Sequence, residues 1–210
     1  MKPLLIITFI IGLLILLYFF LPESPKPIAL IFKTEMVAKE NKVFAAIRNK
    51  ATSLNKYISQ KKFSDNYVFL IDMSLPSGKK RFFIYDLLND SIINSGLVAH
   101  GNCRSGFLEE PVFSNVPECG CSSVGKYKIG YAYQGKFGKA FKLHGLDSTN
   151  FNAFNRSIVL HAYDCVPDEQ VYPQPICNSL GCPMISYRFL NSLTSIIESS
   201  SKPILLWIYH

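Results

Sequence analysis

The chain is poor in the residue types on which several common functions depend. Only four of its 210 residues are histidine, they do not cluster, and no two cysteines have the CxxC spacing. A zinc site is therefore weakly supported. No glycine-rich stretch resembles a phosphate-binding loop, and no pair of carboxylates stands out as an acid/base couple. Acidic residues are also short, 15 against 22 lysines and arginines, for a formal net charge of +7. Nothing resembles a nucleic-acid module. The basic excess thus reads as an ordinary solvated surface or as attraction to an anionic polymer. Internal repeats and low-complexity segments are absent, which excludes an array.

There is one long apolar run. Residues 4–21 are uncharged and apolar apart from Thr8, behind Lys2, and about 18 such residues can cross a bilayer core. The exit reads Phe19-Phe20-Leu21-Pro22, with no small-x-small cleavage site. Residues 1–21 are expected to be a retained signal anchor and transmembrane helix, a removed signal peptide being the alternative. Lys2 argues for an inside N-terminus, although Lys26 and Lys33 make the charge bias weak. Residues 22–64 read as a stiff, proline-bearing linker and an amphipathic helix. In that helix Phe44, Ile47, Ala51, Leu54 and Ile58 recur at three- and four-residue steps. It is expected to lie on the domain or act as a stalk, with a partner or membrane-surface helix as the alternative. Residues 65–210 form a domain long enough to bury a sizeable core.

Beyond Lys62 the pattern turns to strands. Segments 67–71 and 81–85 are rich in branched and aromatic residues, with Ser77-Gly78 turning the chain between them. Further strand candidates are 91–99, 125–133, 140–143, 156–161 and 204–209, and one clear helix, 187–198, follows Ser186 as its N-cap. Many short strands with one late helix predict a mainly β domain, an antiparallel-rich sandwich or barrel.

Six cysteines beside an export segment imply an oxidising compartment. Cys165 and Cys177 bracket one loop and are expected to bridge. Cys119 and Cys121 are too close to bridge each other, but either could reach Cys103. With Cys182 set aside as a free thiol, five cysteines remain, so at least one more is unpaired or linked between molecules. A zinc site built on Cys119 and Cys121 is the rival.

The stretch that carries chemistry runs from His161 to Pro183. An apolar strand ends at His161, and a small-residue turn, Ser179-Leu180-Gly181, delivers Cys182. A thiol is mostly protonated at neutral pH, and a nearby imidazole can take its proton. Gly181 is expected to leave room for a substrate carbonyl, with the N–H groups around Gly181 and Cys182 holding an oxyanion. Tyr163 is a candidate hydroxyl donor there, and Asp164 or a backbone carbonyl a candidate to orient the imidazole. His100 and His144, each before a glycine at a strand end, read as structural histidines or as pocket residues. The bland alternative for the whole stretch is a core histidine and an inert buried cysteine.

The constellation resembles the L,D-transpeptidase active-site signature, a histidine followed at this spacing by a Ser-x-Gly-Cys box. With Pro183 it is most similar to the murein L,D-transpeptidase catalytic domain branch. Val98-Ala99-His100-Gly101, Phe113-Ser114-Asn115, Ser122 to Tyr127, His144-Gly145-Leu146, Arg156 to Ala162 and Leu206 to Tyr209 carry the likeness over residues 65–210. Leu180 stands where the broader family has histidine, and Met184 where it often has Asn or Arg, at positions that shape its pocket. The resemblance implies an L,D-transpeptidase-like β fold and a helix after the catalytic Cys182. It further implies a periplasmic or extracytoplasmic enzyme of the cell envelope, acting on peptidoglycan stem peptides without a cofactor. Cys182 would be the nucleophile and His161 its base; Gly181, Ser179, Tyr163 and His100 would line the oxyanion site and pocket. A catalytically silent wall-binding or scaffold module and a thiol hydrolase of another amide are the alternatives.

Overall fold

A computed structural model describes residues 42–210. The anchor and linker expected over residues 1–21 and 22–41 lie outside the described residues. Among the described residues no helix is long and apolar enough to cross a membrane.

Residues 42–53 are helical (α1), and after a one-residue break at Leu54 the chain continues as α2, Asn55–Lys61. The expected amphipathic stripe is thus carried by two helical pieces. Ile47, Ala51, Leu54 and Ile58 are buried, while Phe44 is exposed. Lys62, in the left-handed region at φ 58°, ends α2, and its N–H donates to the carbonyls of Ile58 and Ser59. Lys50 sets its ammonium 4.5 Å over the ring of Trp207, so α1 lies on the last strand.

Eight strands follow: β1 Tyr67–Asp72, β2 Phe82–Asp86, β3 Ser91–Gly96, β4 Gly125–Gly135, β5 Gly138–Gly145, β6 Val159–Ala162, β7 Met184–Ile185 and β8 Leu205–Tyr209. They form one sheet in the order β3-β2-β1-β8-β4-β5-β6-β7. Pairing is antiparallel except between β1 and β8 and between β6 and β7. Helix α3, Tyr187–Ser199, stands between β7 and β8. The Ser186 side chain caps it, accepting from Phe189 N–H at 3.2 Å.

One face of the sheet makes the main core. Phe69, Ile71, Phe82, Ile84, Tyr127, Phe141, Leu143, Leu160, Ala162 and Leu206 pack there against Phe189, Leu190 and Leu193 of α3. Each such helix side chain contributes roughly 1.5–3 kcal/mol by leaving water. The rings of Phe82 and Phe189 meet edge-on at 5.2 Å. Gly96 is required by this contact, because a Cβ there would lie 2.4 Å from Phe189.

The two edges of the sheet meet. The chain leaving β3 hydrogen-bonds to β7 and to the turn before it: Ala99 N–H to Met184 O (2.8 Å), Ser179 N–H to His100 O (2.8 Å) and Asn102 N–H to Ser179 O (2.9 Å). Backbone groups that an open edge would expose are thereby satisfied. The same bonds bring residues 97–102 against the Ser179–Pro183 turn.

Two disulfides staple the loops. Cys165 bonds Cys177, closing a 12-residue separation worth roughly 2–3 kcal/mol in the chain-entropy picture. Cys103 takes Cys121, leaving Cys119 and Cys182 as free thiols. The zinc alternative loses Cys121 as a thiolate ligand to that bond.

Candidate active site

His161 is the third residue of β6. Side chains alternate across a strand, so Leu160 and Ala162 enter the core while Val159 and His161 face the opposite side. There the imidazole is covered rather than open. Phe137, in the turn between β4 and β5, stacks on it at 5.0 Å and 18°, and Tyr163 meets the same Phe137 ring edge-on at 5.3 Å. Nδ1 lies 2.9 Å from Ala162 O, which makes it the protonated nitrogen and leaves Nε2 as the basic one. The imidazole is thus oriented by a backbone carbonyl, the alternative to Asp164. Burial lowers the His161 pKa, so the ring is neutral at pH 7.

Cys182 stands two residues before Met184, and Met184 pairs in parallel with His161. The thiol falls level with Val159, two residues before His161 on β6, and Cys182 packs against the edge of the main core. Its Sγ accepts from Val159 N–H at 3.4 Å and lies 3.8 Å from Ser157 O. Among the described residues no hydrogen bond joins Sγ to the imidazole. Burial raises the thiol pKa, partly opposed by the Val159 N–H and by the positive charges of Arg156 and Lys142. The pair rests as thiol and neutral imidazole, the state from which an imidazole can act as base.

The turn that holds Cys182 is tied from within. Ser179 Oγ accepts from Gly181 N–H (3.0 Å), and Ser122 Oγ donates to Gly181 O (3.3 Å). Gly181 has φ +110°, which favours glycine. A Cβ on Gly181 would lie 2.7 Å from Cys121 O and 3.3 Å from Arg156 Nη2. On its Cβ side Gly181 is therefore packed against the Cys121 and Arg156 segments, and its N–H is engaged. Among the described residues no hydrogen bond takes the Cys182 N–H.

His100 is wholly buried. Arg81 Nη2 donates to its Nδ1 at 2.9 Å, so Nε2 carries the proton and meets Leu108 O at 3.1 Å. Met184, at the position that helps shape the pocket in the broader family, packs with Leu97, Ala99, Val166 and Ile176 beneath the loop that Cys165 and Cys177 close. Leu180 is the exposed member of the turn, 71 % accessible, and lines a cleft with Arg104, Glu118, Asn155 and Arg156. Tyr163 is exposed beside Phe137. His144 is half-buried and stacks on Phe154 at 4.8 Å.

Residues unmarked in the sequence complete the surroundings. Arg156 donates to Ser114 O and Ser123 Oγ (both 2.9 Å), to Cys119 Sγ (3.3 Å) and to Cys121 O. It thereby fastens the Cys103–Cys121 loop behind the nucleophile turn. Phe137 follows Gly135-Lys136 at a hairpin tip, and no periodicity points from there to a histidine 24 positions on.

Burial depresses the His100 pKa to about 4, helped by the adjacent Arg81 charge. The unfolded histidine takes its proton near 6.5. Stability from this group is thus fully present above about pH 6.5 and lost as pH falls towards 4, on the order of 3 kcal/mol at most. Urea unfolding of wild type against His100→Gln between pH 7 and 4 should show the steeper loss in the wild type. Parallel curves would mean that His100 does not carry it.

No curated protein matches the chain. Several solved structures resemble it: an L,D-transpeptidase from Xylanimonas cellulosilytica (12% identity, TM-score 0.40, 70% of this chain and 61% of that one), the helical cell shape determining protein Pgp2 from Campylobacter jejuni (12%, 0.40, 69% and 47%), and an L,D-transpeptidase from Mycobacterium smegmatis (9%, 0.40, 69% and 59%). The chain spans about half to three fifths of these solved chains. The sequence matches the L,D-transpeptidase catalytic domain family over residues 38–209. With most of its length inside that match, the chain belongs to the L,D-transpeptidase catalytic domain family.

Proposed function

We propose that the chain is a peptidoglycan L,D-transpeptidase of the cell envelope working through a thioester at Cys182. The observation that carries this reading is the placement of the thiol: Sγ on the Val159 N–H, two residues before His161 on the same strand, with Nε2 as the basic nitrogen. His161 Nε2 takes the thiol proton, and Sγ attacks the carbonyl carbon of an L-to-D bond in a stem peptide. The Cys182 N–H faces the developing oxyanion. Collapse breaks the carbon–nitrogen bond, the imidazolium returns its proton to the leaving amine, and a D-amino acid departs. An amine of a second stem then attacks the thioester to form a crosslink, or water does so and the enzyme acts as a carboxypeptidase. No cofactor enters these steps. The retained N-terminal segment would hold the domain at the membrane, facing the wall.

A catalytically silent wall-binding module is the second reading, favoured by the burial that raises the thiol pKa and by the engaged Gly181 N–H. Mass spectrometry of the full chain mixed with a tetrapeptide-stem muropeptide separates the two. The transpeptidase reading expects an acyl adduct on Cys182 and free D-amino acid. Neither adduct nor release, with the stem still bound, would leave the silent module.

A further inference from the structure

On the face of the sheet that carries His161, Lys142 is, among the described residues, a charge without a counter-ion. It lies on β5, where Phe141 and Leu143 point into the core and Lys142 points to the other side. Across the antiparallel pair it stands opposite Val159, the residue whose N–H meets Cys182 Sγ. Its ammonium is held over Tyr133 at 4.6 Å and near Phe154 at 6.0 Å. Aromatic faces position an ammonium but accept no conventional hydrogen bond from it, so its donors stay open. Among the described residues no carboxylate pairs with Lys142, whereas half-buried Lys126 pairs with Asp147 at 2.9 Å.

Arg156 is the other cation beside the nucleophile, and its situation differs. Its terminal nitrogens are taken by Ser114 O, Ser123 Oγ, Cys119 Sγ and Cys121 O. It is fixed scaffolding with little left to give a ligand. The thiolate formed in turnover brings one negative charge, for which Arg156 already supplies a neighbouring positive one. Lys142, aimed by two aromatic rings onto the face that carries Val159 and His161, has donors to spare for an anion from outside.

We propose that Lys142 docks a carboxylate of the acyl donor, so that the site selects an acidic peptide over its amidated counterpart. This rests on the transpeptidase reading above and names the chemistry of its donor. Tyr133 and Phe154 fix the ammonium in place, and a charge-assisted contact gains from that fixed position.

The test uses the full chain and three tetrapeptide stems: all carboxylates free, internal carboxylates amidated, and C-terminus amidated. Thioester formation is followed by intact mass. In the wild type one of the two amidations should lower kcat/KM on the order of tenfold, as loss of a charged hydrogen bond does. Lys142→Met should lower the rate with the free stem by a similar factor and become indifferent to that amidation. Lys142→Arg should restore most of both. Equal loss on all three stems in Lys142→Met, or a wild type indifferent to both amidations, would overturn the proposal. A wild type acylated by none of the stems, with Cys182 still alkylated by iodoacetamide, would instead bring down the transpeptidase reading and this one with it.

Discussion

Replacing Cys182 with alanine should reduce acyl transfer by a factor on the order of 10⁴ or more, because no other group in the site can form the thioester. The fold should survive, since the hydrogen bonds of Sγ, to Val159 N–H and Ser157 O, are long and Cys182 lies at the edge of the core. The other free thiol, Cys119, serves as the control: it is held by Arg156 and the Cys121 N–H, and Cys119→Ser should keep activity. His161→Ala should cost on the order of 10²–10⁴ through loss of the base. Because burial raises the thiol pKa, alkylation in that variant should rise only above the ordinary cysteine value of about 8.5. A merely structural His161 would lower the melting temperature and leave the alkylation profile unmoved. Turnover by Cys182→Ala at the wild-type rate would end the covalent mechanism.

Arg81→Met should cost on the order of 3–5 kcal/mol, the scale for stripping a buried charged group from its partners. The guanidinium is wholly buried, and burial brings its pKa down to about 10, so it stays charged at pH 7. Nε and Nη2 donate to Val98 O (3.0 and 2.9 Å), Nη1 to Leu75 O (2.9 Å), and Nη2 also to His100 Nδ1. Methionine fills much of the same volume but satisfies none of those acceptors. The loss concentrates where β3 leads to residues 97–102, the segment that hydrogen-bonds the nucleophile turn through Ser179. Urea unfolding should therefore show a midpoint drop of a large fraction of a typical 5–15 kcal/mol stability, and activity should fall well below the midpoint. A change under about 1 kcal/mol, the size of an exposed substitution, would contradict this account.

Much of this was legible along the chain. Branched and aromatic runs at 67–71 and 81–85 announce strands because such side chains fit a pleated, half-buried surface, and β1 and β2 lie there. Ser186 before an apolar helical stripe announces α3 because its hydroxyl can satisfy an otherwise unpaired N–H. Cys165 and Cys177 bracket one loop and do bond. Local patterning also singled out His161 and Cys182 as residues of matching chemistry. Periodicity gives the alternation of side chains, however, and not what each face meets. Only the sheet order decides that β7 returns beside the chain leaving β3, which sends Met184 into a small core and packs the open side of Gly181 with Cys121. Cys103 had two possible partners by spacing, and the loop's path through space selected Cys121. The burial of Arg81 against His100, the Phe137 ring on His161 and the stand of Lys142 opposite Val159 all join residues from different strands and turns. Such contacts exist only once long-range pairing has closed, so no local pattern in the sequence encodes them.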